Sequence, residues 1–533
     1  MKIKRIAALL LAATAVFSLT ACKKGWQKGA GQKISYNLTG DPATLDPQIA
    51  SDTPSLIVIQ AVYEGLTRLG GNGKVQPGVA EKWESNADHT QFTFHLRANA
   101  KWSDKQYGSV TAKDFVYAFR RALNPKTGST TCSQMFCIKN AREVQSGSLS
   151  PESLGVVAKD SKTLAVTLES SCPDFPKIAA SAVYMPCNQK FFEKTAGRYG
   201  LETTYLLSDG PFDINTYDWN HGKTLKLTHS STYTGSPSPL PSEIDFTIGS
   251  KTDGAAALKS GTVDAAPVSV SQVSTLKGIG CTLVSFQNTV WGLCFNTQSD
   301  IFKNEKMRDA FLQSFSRSNV LSHLPEGTTE AKSIFLPGTT LNGSAFHPSG
   351  GPFYLKQDSG APQTFAAGLQ ELHLKSLSSL TVLCPNDTNV ELMVNEMIAA
   401  WNKQFNNYFN LKSLSESDLL SRINSGDYDF AVCPLKPDDG SPATLLSLFM
   451  SGAAGNPAHL NDSAYDALVS DAQSKGGAAG IAAYTAAATY LSKKAIFYPL
   501  YYENNYYASA KGVTGIVFYP FHGIVDFRDA GKR

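Results

Sequence analysis

Strand patterns and helix patterns alternate along this chain, and that alternation constrains its fold more than any other feature. Residues 91–97 (QFTFHLR) and 163–169 (TLAVTLE) alternate apolar and polar side chains, as half-buried strands do. Between them, residues 110–123 show helical spacing, with Thr111 and Asp114 in the arrangement of a capping box. The strand runs are too short and too scattered for a single barrel, so we predict a mixed α/β protein.

The same alternation continues towards the C-terminus. Residues 480–495 are rich in alanine and predict a helix, and residues 496–502 (IFYPLYY) predict an aromatic strand. About 510 residues remain once an N-terminal export signal is removed, which is too many for one hydrophobic core. We therefore expect two α/β lobes with a cleft between them.

The first 22 residues have the layout of an export signal. Three basic residues precede an apolar stretch over 6–19, which is too short to span a bilayer. The tetrad Leu19-Thr20-Ala21-Cys22 resembles the lipobox of bacterial lipoproteins, which are cut before the cysteine and acylated on it. We predict a signal peptide over 1–21, lipid on Cys22 and a flexible tether over 22–32. An ordinary signal peptide with a cysteine near its cut is the alternative.

Net charge argues against a charged partner. The formal charge of +3 includes the three basic residues of the signal, so the mature chain is neutral. A neutral chain has no long-range field to attract nucleic acid, and lipid rather than charge would hold it at a membrane. We expect no nucleic-acid partner.

The nine cysteines fit an exported protein. If Cys22 carries lipid, eight remain, and the sequence does not determine which of them pair. They are Cys132, Cys137, Cys172, Cys187, Cys281, Cys294, Cys384 and Cys433. No C-x-x-C pair occurs, so we expect neither a structural zinc site nor a thioredoxin-like redox centre. We also expect no cofactor.

Signatures of catalysis are almost absent from the sequence. It contains no G-x-S-x-G, H-E-x-x-H, Walker A or G-x-G-x-x-G motif. One S-x-x-K pattern, Ser274 to Lys277, matches the acylated serine of penicillin-recognising enzymes, but the S-D-N and K-T-G partner motifs are missing. We predict that the protein is not an enzyme and keep an acyl-transferring serine enzyme as an alternative.

Four motifs follow one another between residues 80 and 123. They are Ala80-Glu81-Lys82-Trp83, Leu96-Arg97, Lys101-Trp102-Ser103-Asp104 and Val110-Thr111-Ala112-Lys113-Asp114-Phe115. Further motifs flank them in order: TLDP (44–47), YEGL (63–66), DGPF (209–212), SGTVD (260–264) and WGLCFNTQ (291–298). Together they resemble the bacterial oligopeptide-binding lipoproteins, the extracytoplasmic solute-binding subunits of peptide ABC importers (solute-binding protein family 5).

This resemblance implies the two-lobed periplasmic-binding-protein fold of the larger, three-subdomain type, with a ligand cleft between the lobes. The implied divisions are a lobe I core over 33–66, 182–287 and 498–533, an accessory subdomain of lobe I over 67–181, and lobe II over 288–497. It also implies short peptides as ligands, a permease and ATPase complex as partner, a lipid anchor on the outer face of a membrane, and a monomer. A non-peptide cargo such as nickel or haem is the alternative.

The resemblance also suggests where a peptide's ammonium group would bind. The turn KPDDGSP (436–442) contains two adjacent acids, and the family pattern places the ammonium-binding aspartate at Asp438. A buried ammonium group needs a charge-assisted partner to replace its lost hydration. The other reading is that acids here favour the start of a helix near Ser441. We assign the ligand role to Asp438 and the helix role to Asp439.

The remaining site residues also follow from the resemblance. Two segments are expected to form the walls of the cleft, where a peptide would lie as an added strand. Val432 stands where some relatives carry an arginine and His323 where some carry a lysine, so His323 is a candidate for the peptide carboxylate. The expected ligand-binding set beside Asp438 is Ser51, Asp52, Thr53, Trp291, His323, Pro434, Leu435 and Lys436.

Overall fold

The computed structural model describes residues 31–71, 73–341, 344–437, 439–453, 455–521 and 524–533. The expected signal peptide, Cys22 and most of the tether lie outside these residues, and so does Asp438. The roles assigned to Cys22 and Asp438 therefore stay predictions.

One large mixed sheet runs through both halves of the described chain. From one edge to the other its strands are Asn410–Leu414, Thr381–Pro385, Phe430–Leu435, Thr282–Phe295, Phe497–Ser509, Ala265–Val268, Lys33–Leu38, Glu243–Ile248, Thr224–His229 and Phe212–Asp213, with Thr328–Glu330 beside 497–509 and Trp219–Asn220 beside 224–229. The first three strands belong to lobe II and the last five to lobe I, so the two long central strands connect the lobes.

Smaller sheets decorate this frame in the described chain. A four-stranded sheet contains Ala80–Ser85, Gln91–Leu96, Thr163–Thr167 and Val156–Ala158 in that order. The two-stranded pairs are Thr67–Leu69 with Val75–Pro77, Thr340–Leu341 with Ser344–Ala345, Val513–Thr514 with Gly531–Lys532, and Val517–Phe518 with Val525–Asp526.

Helices cover the faces of the sheets. Their bounds are Thr53–Val62, Ala112–Ala122, Ala141–Gln145, Phe175–Ile178, Gln189–Lys194, Lys251–Ser260, Val273–Gly278, Glu305–Gln313, Arg317–Leu321, Ala361–Glu371, Thr388–Phe405, Glu416–Ser425, Pro442–Ser447, Ser463–Gln473 and Gly477–Lys493. The strand and helix bounds agree with the sequence predictions for 91–97, 110–123, 163–169 and 480–495 to within about three residues.

Lobe II is built on parallel pairing next to the central strands. Thr381–Pro385 pairs in parallel with Asn410–Leu414 and with Phe430–Leu435. Parallel neighbours need a crossover connection, which the helices Thr388–Phe405 and Glu416–Ser425 supply. The strand Phe430–Leu435 then lies antiparallel to Thr282–Phe295, at the junction with the central strands.

The two central strands, Thr282–Phe295 and Phe497–Ser509, are antiparallel and long enough to reach both lobes. Their pairing register shifts between Gln287 and Thr289 and again between Trp291 and Gly292. Such irregularities bend a strand and increase its twist. The first shift coincides with the boundary between lobes expected at 287/288.

The second expected boundary between the lobes, at 497/498, falls in the strand Phe497–Ser509. The apolar cluster of lobe II includes Tyr498, Leu500, Tyr501 and Tyr502, which the expected division at 497/498 assigned to lobe I. Residues 504–509 instead pair with the lobe I half of the opposite strand. The expected boundary lies near the start of a continuous aromatic strand, and the division stays a prediction.

The accessory subdomain shares one apolar core with the rest of lobe I. This core includes Ile34, Phe94, Phe119 and Phe246. The predicted capping box is present: the Asp114 carboxylate accepts hydrogen bonds from the N–H and the hydroxyl of Thr111, each at 2.8 Å. Arg121 at the end of the same helix reaches into lobe I, where its guanidinium pairs with the buried carboxylate of Asp46.

Among the described residues, none of the helices combines the length and the hydropathy needed to cross a bilayer.

Candidate functional site

A cavity of about 220 Å³ lies between the accessory subdomain of lobe I and lobe II. One wall comes from residues 133–178 and the opposite wall from residues 340–341, 436–453 and 473–484. The two walls also touch directly: Lys177 Nζ lies 3.5 Å from the Thr340 hydroxyl, and Arg142 Nη2 lies 3.5 Å from Met450 Sδ. The lobes therefore meet around a partly enclosed space, which is the usual setting of a ligand-binding cleft.

The lobe I wall contains two thiols beside a buried tyrosine. Tyr184 donates a hydrogen bond to the Gln134 carbonyl at 2.8 Å, and its hydroxyl lies 3.6 Å from Cys137 Sγ. Burial raises the pKa of Cys137 to about 11 and that of Cys172 well above its usual value. Both groups stay protonated at neutral pH, so neither is an activated nucleophile.

The lobe II wall is the turn that sequence analysis singled out. Asp439 lines the cavity, and its Oδ1 accepts a hydrogen bond from the Ser441 N–H at 2.7 Å. Ser441 in turn caps the helix Pro442–Ser447 by accepting the Ala443 N–H at 3.0 Å. The helix near Ser441 is therefore confirmed, and Asp439 shapes the turn before it rather than capping it directly.

The charge of Asp439 reaches across the cavity to lobe I. Burial is the largest cause of the raised pKa of Cys137, Cys172 and Tyr184, and the negative charge of Asp439 makes a smaller contribution in the same direction. The position of Asp438 itself is not described, but its neighbour Asp439 belongs to the cavity wall. The described part of this turn lines the cavity, and the ligand role of Asp438 stays a prediction.

Of the other expected wall residues, Lys436 lines the cavity, where it forms an ion pair with Glu416. Pro434 and Leu435 are on the adjoining strand, opposite Trp291 and Val290. They line a separate, smaller cavity of about 150 Å³ inside lobe II. Their role in contacting a ligand stays a prediction.

The expected second wall, residues 51–53, starts a helix of lobe I. Asp52 Oδ1 accepts the Ser55 N–H at 2.9 Å and so caps the helix Thr53–Val62, while Ser51 and Thr53 are exposed. None of the described residues that line the interlobe cavity comes from this segment.

Trp291 and His323 have polar partners outside the cavity. Trp291 is buried, and its Nε1 donates to Glu503 Oε2 at 2.7 Å. His323 Nε2 lies 3.6 Å from Glu396 Oε1 at the end of a short helix. Val432 is fully buried in its strand, opposite Leu293. A ligand role for Trp291 and His323 is not tested by these contacts.

Two cations in the lobe I wall of the cavity were not predicted from the sequence: Arg142 and Lys177. Both come from short helices of the accessory subdomain, Ala141–Gln145 and Phe175–Ile178. Neither residue belongs to a motif, and both segments are too short to show the periodicity of a helix or a strand. Only the meeting of the two lobes brings them opposite the acidic turn.

The S-x-x-K pattern and the cysteines add no catalytic centre to this site. Ser274 and Lys277 are exposed on the helix Val273–Gly278, outside the cavity. The eight described cysteines are thiols, and the described residues contain no group of three or more His, Cys, Asp or Glu side chains that could hold a metal ion.

Comparison with known proteins agrees with this architecture. The family model for the bacterial extracellular solute-binding proteins, family 5 (middle), matches residues 74–457. The dipeptide-binding protein DppE of Bacillus subtilis (strain 168) is 25% identical over 547 aligned residues, which cover 100% of both chains.

Two solved structures show the same fold. The substrate-binding domain of an oligopeptide ABC transporter from Bacillus anthracis str. Ames matches with a TM-score of 0.78 and 25% identity, covering 95% of this chain and 99% of that one. Listeria monocytogenes OppA bound to peptide matches with a TM-score of 0.78 and 24% identity, covering 94% and 99%. The expected two-lobed α/β fold is confirmed, and the chain belongs to the bacterial extracellular solute-binding proteins of family 5.

Proposed function

We propose that this protein binds short peptides outside the cytoplasmic membrane and delivers them to the permease and ATPase complex of an ABC importer. It works as a monomer, held at the membrane by lipid on Cys22, and it performs no catalysis. The observation that carries the proposal is the partly enclosed cavity between the two lobes, which is lined by charged residues of both signs.

Family membership supports the same conclusion. DppE of Bacillus subtilis is named a dipeptide-binding protein, and Listeria monocytogenes OppA was solved with a bound peptide. The Bacillus anthracis structure is described as part of an oligopeptide ABC transporter. This chain matches each of them over nearly its whole length.

The chemistry of the cleft suits a peptide. In the proposed complex the Asp438 carboxylate accepts a charge-assisted hydrogen bond from the peptide's ammonium group. This bond replaces the water that closure of the cleft removes. Main-chain hydrogen bonds along a wall strand would add affinity without reading side chains. Pro434 has no N–H to offer at its position, which leaves one such bond fewer.

The test is to identify what the protein carries. Ligands released by denaturing the purified protein are analysed by mass spectrometry, and binding of defined di-, tri- and pentapeptides to the emptied protein is measured by calorimetry. Released peptides and calorimetric binding support the proposal, whereas release of a metal ion or a porphyrin contradicts it.

A matched pair of variants locates the binding in the cavity. Ala443→Trp introduces a bulky ring into the cavity wall and should abolish peptide binding. Ala366→Trp places the same ring on an exposed position of the helix Ala361–Glu371 and should leave binding unchanged. Equal behaviour of the two variants would contradict a binding site between the lobes.

A further inference from the structure

One end of lobe I contains both ends of the described chain. The strand Lys33–Leu38 begins there. The Gln32 side chain donates a hydrogen bond to the Lys532 carbonyl at 3.1 Å and accepts one from the Lys532 N–H. Lys532 Nζ also pairs with Asp264 Oδ2 at 2.8 Å. The segment that leads back to Cys22 is therefore attached to lobe I beside the C-terminus.

The length of that segment limits how far this end of lobe I can lie from a membrane. Residues 22–30 separate the predicted lipid from the start of the described chain at Gly31. A fully extended chain spans at most about 3.3–3.6 Å per residue, so this segment spans at most about 30 Å. With lipid on Cys22, as in the proposed function, this end of lobe I stays within that distance of the lipid headgroups.

The surface at this end of lobe I is rich in exposed cations. We call it the tether face, and it consists of residues 259–264, 277–281, 510–513 and 531–533. Four of its cations are exposed and have no Asp or Glu oxygen of the described chain within 4.0 Å: Lys259, Lys277, Lys511 and Arg533.

Acids at this end of lobe I neutralise only part of the positive charge. Asp264 is paired with Lys532, and Glu243 is paired with Lys33. The segment 23–30, which precedes the described chain, adds three lysines and no acid. The other carboxylates near the tether face are those of the C-terminus, the half-buried Asp245 and the exposed Asp529. Positive charge is therefore in excess at this end.

Backbone and side-chain contacts hold two of the exposed cations together. The Arg533 N–H donates a hydrogen bond to the Gly512 carbonyl at 2.9 Å, which places the C-terminal residue beside Lys511. The aliphatic stem of Lys511 packs against the backbone of Gly280, where an added Cβ would lie 3.4 Å from Lys511 Cδ. The C-terminus and the turn around residue 280 therefore form one continuous surface.

An exposed isoleucine lies in the same turn. Ile279 is 49% exposed and directly follows the helix Val273–Gly278, whose last turn carries Lys277. A small apolar core that includes Leu276, with Cys281 packed against it, holds the turn in place. One exposed apolar side chain is ordinary on a protein surface. Here it lies among cations, and that combination suits the headgroup region of an anionic membrane.

We propose that the tether face of lobe I binds the surface of a membrane that contains anionic phospholipids. Lys277, Lys511 and Arg533 contact the lipid phosphate groups, and Ile279 inserts among the headgroups. This inference rests on the lipid anchor at Cys22 in the proposed function and goes beyond it, because it assigns the face of the protein that the membrane contacts.

Electrostatics supports a contact that is both favourable and reversible. An anionic bilayer attracts basic residues that lie within about a Debye length of it, which is about 10 Å at 0.1 M salt. A basic patch also adds to the binding that lipid chains supply. Because salt screens this attraction, the contact is weak enough for the protein to leave the membrane surface and dock on a permease.

The test uses the full-length, lipidated protein on vesicles, with the photoreactive residue benzoylphenylalanine in place of Ile279. The vesicles contain phosphatidylcholine alone or phosphatidylcholine mixed with phosphatidylglycerol, and mass spectrometry measures the fraction of protein crosslinked to lipid. Tyr217 is the control position, because it is 94% exposed on lobe I. It lies near the end of the sheet opposite to Lys33, as the strand pairing shows.

We expect crosslinking from position 279 to be at least about tenfold higher on the anionic vesicles than on the neutral ones. It should fall to the neutral level in 1 M salt, where the Debye length is about 3 Å. Crosslinking from position 217 should stay low on both kinds of vesicle.

A matched pair of double variants tests the cations themselves. Lys277→Glu with Lys511→Glu should reduce crosslinking from position 279 on anionic vesicles to the neutral level. Lys190→Glu with Lys223→Glu makes the same change of charge at exposed positions of lobe I outside the tether face and should leave crosslinking unchanged. Calorimetric peptide affinity and thermal melting should match the wild type in both, which shows that each variant is folded.

Equal crosslinking from positions 279 and 217 overturns the proposed orientation and leaves peptide binding and the lipid anchor standing. Crosslinking from position 279 that depends on neither salt nor phosphatidylglycerol overturns the role of the cations. Wild-type protein that does not sediment with either kind of vesicle refutes the lipid anchor of the proposed function, and the orientation with it.

Discussion

The two adjacent acids of the turn 436–442 allow a sharp test of how a peptide's ammonium group is held. Asp438→Asn keeps the shape of the side chain but removes its charge. In a closed cleft this leaves the ligand's ammonium buried without an anionic partner. Truncating one member of a buried charged pair costs roughly 2–5 kcal/mol, which is about 30-fold to several-thousand-fold in affinity. We expect a loss in this range.

Asp439→Asn is the matched control, and the contacts of Asp439 indicate how small its effect should be. The Asp439 Oδ1 accepts the Ser441 N–H at 2.7 Å, and the amide oxygen of asparagine accepts the same bond. The turn and the following helix cap are then retained. The free energy of unfolding should change by less than about 1 kcal/mol and peptide affinity by less than about threefold.

The assay is calorimetric titration of each variant with one tripeptide and with its N-acetylated form. Acetylation should severely weaken binding to the wild type and add little further loss in Asp438→Asn, because both changes remove the same contact. Additive losses would refute the assignment. So would a larger effect of Asp439→Asn, which would move the ammonium site to the acid already known to line the cavity.

Three further outcomes are expected. Arg121→Met should lower the free energy of unfolding in a denaturant titration by roughly 3–5 kcal/mol, because it leaves the buried carboxylate of Asp46 without its cationic partner. The control Arg120→Met breaks an ion pair that is long and partly exposed, so it should lower the free energy of unfolding by less than about 1 kcal/mol. Similar losses in the two variants would contradict this. Since burial raises the pKa of Cys137 to about 11, its rate of alkylation, followed by peptide mass spectrometry, should rise about tenfold per pH unit from pH 8 to 10, and a plateau near pH 9 would show an ordinary thiol. Metabolic labelling with a fatty acid should mark the wild type but not Cys22→Ala, and labelling of both would refute the prediction of lipid on Cys22.

Much of the local structure could be predicted because its signals are local. The capping box of Thr111 and Asp114 forms as expected, since the partners are three residues apart. The same holds for the helix that starts after Ser441 and for the alternating strand over 91–97. The family motifs between residues 80 and 123 are local signals too, because they lie in one contiguous stretch of the accessory subdomain.

Contacts between distant segments could not be predicted in this way. The expected division between the lobes at 497/498 falls in the strand Phe497–Ser509, whose aromatic side chains continue past it. The ligand role expected for the segment 51–53 stays a prediction, and in the structure Asp52 caps a helix there, a role that a lone aspartate before Thr-Pro also fits. Which reading applies depends on where the helix sits in the assembled lobe.

The sequence by itself therefore determined the fold class, the family and the presence of an acidic turn before the helix Pro442–Ser447, because each rests on residues close together in the chain. Only the tertiary structure decided what the turn faces. Arg142 and Lys177 lie far earlier in the chain, on short helices without a motif, and line the same cavity only because the two lobes meet there. Contacts between segments so far apart in the sequence depend on that closure, and no local pattern in the chain records them.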